Sequence, residues 1–244
     1  MLIEIILAII QAATEFLPVS SSGHLALISI LFSKPDLFFF TALHIASLFA
    51  VLIFTRSEIK FLFTFSKDAL KLWKFLIIAT LPAALIGFFF HKLVESTFSS
   101  LIFLSVAFMF TSIILLLTKY TEGKKEINSK NSFLVGIFQA IALFPGVSRS
   151  GMTISSGLFG GIDREKAAKF SFLLFIPLSI GAFILELGNF YFNPTLLISF
   201  MITLILSLFF LNLLTKIIKK GYFWAFSFYT LALSILCLIL EILV

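Results

Sequence analysis

Six stretches of this chain, at roughly residues 37–55, 69–90, 99–118, 170–187, 195–214 and 222–243, stay apolar for about the 20 residues that a helix needs to cross a bilayer. Inside hydrocarbon every backbone N–H and C=O must find its partner within the protein. Only helices and closed barrels meet that demand, and runs without a two-residue alternation select helices. The composition agrees. Residues of the AVILMFWYC set make up 60%, charged residues 12%, and phenylalanine alone occurs 34 times. A water-soluble domain cannot hide that much apolar surface. The single cysteine, Cys237, excludes a disulfide framework within the chain. A net charge of +6 invites a nucleic-acid reading. The basic residues lie between the apolar runs, however, so membrane lipid is the expected environment and no nucleic-acid partner is expected. The N-terminal stretch has no basic residue and carries Glu4, so it is not expected to be a cleaved signal peptide.

Two further apolar stretches are interrupted. Residues 1–32 are broken by Pro18-Val19-Ser20-Ser21-Ser22-Gly23, and residues 133–160 by Pro145-Gly146-Val147-Ser148-Arg149-Ser150-Gly151. Each half is too short to span, and proline, glycine and serine clusters stop and restart helices. Each stretch is expected to be a helix–break–helix hairpin that enters and leaves the membrane on one side. Charge supports this for the second. With a returning hairpin, one face collects Arg56 to Lys74, Lys119 to Lys130, Arg164 to Lys169 and Lys216 to Lys220, while the other keeps only Lys34 and Lys92. A single crossing would erase that bias. The basic face is then cytoplasmic and both termini lie outside.

The two broken stretches also match each other at an offset of 128 residues. Gln11 falls on Gln139, Phe16 on Phe144, Val19 on Val147, Ser20 on Ser148, Ser22 on Ser150 and Gly23 on Gly151. One hairpin plus three spans makes a repeat, and three is odd, so the second copy must be inverted. The expected architecture is an all-α polytopic membrane protein forming one domain, 1–244. Repeat one covers 1–118, a cytoplasmic linker 119–132 and repeat two 133–244. Inverted repeats with broken helices place a polar site where the breaks converge. The competing reading is two kinked helix pairs with no site.

The first break brings Gln11, Glu15, Ser20, Ser21, Ser22 and His24. Gln11 and Glu15 are four apart and share a helix face, with Glu4 on roughly the same stripe. An ionisable residue inside a membrane segment is costly, so it points to function. The second break brings Ser148, Arg149, Ser150 and Thr153. A guanidinium stays charged and offers a planar fork to phosphate or carboxylate. It could equally form an ion pair with Glu15. The serines could equally be helix caps. Two helix N-termini, one arginine and several hydroxyls suit a diphosphate. Glu15 would hold a divalent cation that bridges the phosphate oxygens. His24, three residues after Ser21, would serve it as acid or base. His44 and His91 are expected to be structural.

Gln-Ala-Ala-Thr-Glu-Phe-Leu-Pro-Val-Ser-Ser-Ser-Gly-His-Leu (11–25) and Pro-Gly-Val-Ser-Arg-Ser-Gly-Met-Thr (145–153) resemble the two signatures of the undecaprenyl-diphosphatase family, also called bacitracin-resistance proteins. The resemblance extends along the chain in length, hydropathy and motif separation. It implies hydrolysis of undecaprenyl diphosphate to undecaprenyl phosphate and inorganic phosphate, which recycles the lipid carrier of cell-wall synthesis in the bacterial inner membrane. It also implies a requirement for magnesium or calcium. Catalytic roles fall on Glu15, Ser21, His24 and Arg149, with either Ser21 or His24 as nucleophile. Diphosphate contacts fall on Ser20, Ser22, Ser148, Ser150 and Thr153. The family's first motif opens with Glu or Gln, and here it opens with Gln11, which weakens a scheme that needs two carboxylate ligands but leaves Glu15 and Gln11, through its amide oxygen, as the implied metal ligands. The alternative is a transporter that flips a lipid phosphate. The sequence leaves oligomeric state open, a homodimer included.

Overall fold

The computed structural model describes residues 2–31, 37–186 and 194–243. Within them the chain is helical, with α1 (Leu2–Phe16), α2 (Ser21–Leu31), α3 (Leu37–Phe54), α4 (Arg56–Leu62), α5 (Lys67–Ser96), α6 (Leu101–Leu117), α7 (Ser129–Ile141), α8 (Arg149–Phe159), α9 (Arg164–Glu186), α10 (Pro194–Lys219) and α11 (Phe226–Leu243). Five of these, α5, α6, α9, α10 and α11, are long and apolar enough to cross a membrane. A sixth appears if α3 and α4 count as one bent span. All six apolar runs of the sequence therefore become long helices, and the protein is a multi-pass membrane protein. Lys34 and the end of the fourth run at residue 187 lie outside the described residues.

The helix boundaries follow local chemistry. Ser66, Ser100 and Ser148 cap α5, α6 and α8, each accepting a hydrogen bond from a backbone N–H three residues on. Asn128 and Asn131 close a reciprocal capping box at α7. The run 37–55 stays apolar to Phe54 and then turns by 74° into α4, where Arg56, Glu58 and Lys60 stand. Those side chains cannot remain in hydrocarbon.

Helices pack through small and hydroxyl residues, as expected where lipid supplies no hydrophobic drive for association. Between α6 and α11, Ser105 Oγ donates to the Ser234 carbonyl at 2.8 Å, and Ser234 Oγ donates back to the Ser105 carbonyl at 2.7 Å. Thr203 of α10 donates to the Ala8 carbonyl of α1. Gln139 of α7 donates to the Ala79 carbonyl of α5. Large apolar side chains such as Ile77, Phe88 and Phe89 face outward.

Both interrupted stretches are helix–break–helix, but the helices restart inside the serine-rich segments. The breaks cover residues 17–20 and 142–148. Serine acts here as a cap rather than a breaker. The local hydrogen bonding repeats at the offset read from the sequence. Gly23 N–H donates to Ser20 Oγ and Gly151 N–H to Ser148 Oγ. The hydroxyls of Ser20 and Ser22 lie 3.3 Å apart, as do those of Ser148 and Ser150. The breaks also touch each other. A Cβ added at Gly23 would lie 2.8 Å from the Gly146 backbone, so glycine is required at that crossing. Gly146 itself holds φ +87°, a left-handed conformation that glycine adopts freely.

Candidate active site

The centre of the site is Glu15, in the last turn of α1. It is buried, and its carboxylate gathers groups from three other helices and its own. Arg149, the first residue of α8, donates from Nη2 to Glu15 Oε1 at 3.0 Å. Ser21, the first residue of α2, donates from Oγ to Oε2 at 2.6 Å. Gln11, one turn back, donates from Nε2 to Oε2 at 3.0 Å. His44 of α3 places Nε2 3.3 Å from the same oxygen.

Arg149 is held from behind by α9. Its Nη1 donates to the Ser171 carbonyl at 3.4 Å, and its guanidinium carbon lies 4.2 Å from the centre of the Phe175 ring. That geometry is a cation–π contact. The break backbone is anchored by Thr111 of α6. Its hydroxyl donates to the Gly146 carbonyl and accepts from the Ser148 N–H.

A small polar cavity of about 30 Å³ lies between the breaks, lined by Glu15, Ser20, Ser21, Ser22, Ser148 and Arg149, with Thr14, Ala142 and Val147. It has room for about one water molecule. A larger apolar cleft of about 490 Å³ adjoins it, lined by residues that include Thr14, Leu17, Val19, Phe226 and Tyr229. Thr14 forms part of both walls.

Several expected residues stand elsewhere. His24 does not approach Ser21. Its Nδ1 faces the Ser20 carbonyl at 2.7 Å and its Nε2 the Tyr229 hydroxyl at 2.8 Å, with the two rings stacked. Because Nδ1 can face a carbonyl only as N–H, the neutral ring accepts the Tyr229 proton at Nε2. Spacing within α2 suggested that His24 serves Ser21, but the chain folds back over the break and delivers Glu15 instead. Thr153 is fully buried and shares its hydroxyl with the Arg149 carbonyl and with Ser171 Oγ at 2.6 Å. Ser150 donates to the Leu17 carbonyl. Neither lines the cavity. The ion pair between Arg149 and Glu15 is formed, whatever else the guanidinium binds. His91 faces the Phe88 carbonyl, away from this cluster.

His44 is the functional-site residue that sequence reasoning set aside. The signal was available, since it is ionisable and lies in an apolar run. Its partner, 29 positions away, was not visible.

The donor set speaks to the expected cation. Among the described residues Glu15 is the sole carboxylate of the cluster, and its oxygens already accept from Arg149, Ser21 and Gln11 and face His44. No group of three or more His, Cys, Asp or Glu suited to a metal exists among the described residues. Hard divalent cations prefer several anionic oxygens. These residues do not fit a resident divalent cation. Gln11 Oε1, buried and without a hydrogen-bond partner, is the spare acceptor nearby.

An all-helical membrane protein with a carboxylate, a guanidinium and a hydroxyl meeting between two helix breaks belongs to the class that handles anionic head groups inside the bilayer. The profile of the family described as "Bacitracin resistance protein BacA" matches residues 4–236, and the chain is a member of that family. Relatives called undecaprenyl-diphosphatase include one from Thermosipho africanus, 41% identical over 241 residues, which cover 96% of this chain and 97% of the relative. One from Methanococcus maripaludis strain C7 is 40% identical over 235 residues, covering 93% and 94%. One from Thermotoga maritima is 40% identical over 242 residues, covering 96% and 98%.

Proposed function

We propose that the protein removes the terminal phosphate of undecaprenyl diphosphate, releasing undecaprenyl phosphate and inorganic phosphate, and so contributes to bacitracin resistance. The observation that carries the reading is the contact of Ser21 Oγ with Glu15 Oε2 at 2.6 Å, beside Arg149 on the other carboxylate oxygen. An activated hydroxyl needs a base within hydrogen-bond reach and a group to hold developing anionic charge, and both are present. Family membership and the names of the relatives agree with it. The apolar cleft next to the polar cavity suits an amphiphile with an anionic head and an isoprenoid tail.

Ser21 Oγ attacks the terminal phosphorus while Glu15 Oε2 takes its proton. The bond from that phosphorus to the bridging oxygen breaks, and undecaprenyl phosphate leaves with the bridging oxygen. Water then attacks the phosphoserine, the serine oxygen recovers the proton from Glu15, and inorganic phosphate departs. Arg149 has N–H groups beyond the two engaged by Glu15 and Ser171, and these meet the phosphoryl oxygens. Ser20, Ser22 and Ser148 line the approach. His24 serves from the Tyr229 side of the break rather than as the base of Ser21.

The frame is an inverted repeat. Exchanging α1 with α7 and α5 with α10 turns the α1–α10 packing into the α7–α5 packing, and α6 with α11 pairs with itself. The reciprocal bonds of Ser105 and Ser234 are what a local two-fold axis produces. With the basic loops cytoplasmic, both termini face outward across the inner membrane. Broken helices in such repeats also occur in transporters. Phosphate release from undecaprenyl diphosphate by purified protein in detergent separates the two. It should be measured with magnesium, with calcium and with chelator, beside Arg149→Ala. Release by wild type that vanishes in the variant supports the phosphatase. No release from folded wild type under any condition leaves lipid flipping as the function.

A further inference from the structure

His44 enters neither sequence motif, yet it joins the Glu15 cluster from α3. Its Nε2 stands 3.3 Å from Glu15 Oε2, the oxygen that also accepts from Ser21. Its Nδ1 stands 3.1 Å from the Phe40 carbonyl, one turn back on its own helix. Both ring nitrogens thus face acceptors, so the ring donates from both as an imidazolium, and the backbone contact aims Nε2 at the carboxylate. The cluster's other donors hold Glu15 from different sides. Arg149 pulls on Oε1 from α8, and Gln11 reaches Oε2 along α1. His44 supplies the hold on Oε2 from the α3 side. The terminal torsion of glutamate is broad and has no strong intrinsic preference. Its orientation must come from its neighbours.

We propose that His44 is a positioning residue for the phosphatase reaction, donating from Nε2 to Glu15 so that Oε2 stays aligned on the Ser21 hydroxyl. It acts through Glu15 and need not touch the substrate. The inference rests on the phosphatase reading, and the wild-type rate is the control that separates the two. If wild type releases no phosphate, the function is wrong and nothing is asked of His44.

The test compares wild type, His44→Ala and His44→Gln, each as the full chain in detergent, monodisperse and with its thermal midpoint recorded. The readouts are kcat and KM for undecaprenyl diphosphate at one fixed pH. Misplacing a reacting group by an ångström costs about 100-fold. His44→Ala should therefore lower kcat by 10- to 100-fold while KM changes less than threefold. His44→Gln keeps an N–H at a similar reach and should recover most of the lost kcat. A kcat for His44→Ala within twofold of wild type overturns the proposal. So does a loss that appears in KM alone. Equal losses in Ala and Gln variants that are both folded would also overturn it, because a donor to Glu15 would then not be what matters. Should His44→Ala fail to fold, the Gln variant against His44→Leu gives the same decision.

Discussion

The two helix breaks share one capping pattern on different backbones, with φ +66° at Ser20 and −74° at Ser148, and carry different chemistry. Each ends in a capping serine, Ser20 or Ser148, whose hydroxyl takes a backbone N–H three residues on. The residue after the cap opens the new helix and is aimed at the cavity between the breaks. In the first break that residue is Ser21, and in the second it is Arg149. The residues before the caps differ likewise, with Glu15 in the last turn of α1 at the sequence offset where the second break has Leu143. His24 corresponds to Met152, which is fully buried among apolar neighbours. One scaffold thus delivers a hydroxyl with its carboxylate from one side and a cation from the other. A symmetric pair could not do this, since two carboxylates would repel a diphosphate and two arginines would leave no base.

The largest effects should fall on this division of labour. Glu15→Ala removes the base and strands Arg149 in a buried site. Phosphate release should drop at least about 1,000-fold, and folding should lose roughly 3–5 kcal/mol, as when one member of a buried pair is removed. A thermal melt beside the rate assay checks both. Arg149→Lys keeps the charge and loses the fork and the ring stacking. A loss of about 100-fold or more is expected, whereas a guanidinium that merely neutralises Glu15 would tolerate lysine.

The crossing of the breaks predicts an asymmetric response to a single methyl. In Gly23→Ala the new carbon meets Gly146 backbone at 2.8 Å, while in Gly151→Ala it meets the Ser148 and Pro18 side chains at 3.0–3.4 Å. Overpacking against backbone costs about 1–3 kcal/mol. Gly23→Ala should therefore lower the thermal midpoint clearly more than Gly151→Ala, and equal shifts would mean that the breaks do not cross there. The smallest effect tests the two-fold relation itself. Ser105→Ala and Ser234→Ala each remove one half of a reciprocal contact. Each should cost about 0.6 kcal/mol, the scale of interhelical hydrogen bonds in membranes. Unequal costs would argue against a local two-fold axis at that contact.

Much of the fold could be read from the chain because a bilayer makes severe demands. Runs of about 20 apolar residues have few alternatives, and all six became long helices. The restart of helices near Ser21 and Arg149 was legible in the same way. The bend after Phe54 was less visible, since it depends on where charge leaves hydrocarbon. At the site, the two motifs named nearly every group around the cavity. They gave two of the pairings, Gln11 with Glu15 on one helix face and Glu15 with Arg149 as an ion pair, and missed the others. Ser21 and His24 share spacing within one helix, and spacing favoured that pair. Folding back at Pro18 put Glu15 against Ser21 and left His24 with Tyr229, 205 positions away.

The amino-acid order by itself determined that this protein lives in a membrane, where its helices lie, that two matched breaks interrupt them, and which rare polar residues the breaks carry. These are local matters of hydropathy, capping and spacing. Only the tertiary structure decided that Glu15 also faces Ser21 and His44, and that Thr153 and Ser150 turn away. A carboxylate's partners are set by which helices pass within about 3 Å of it, and that depends on packing across the whole bundle.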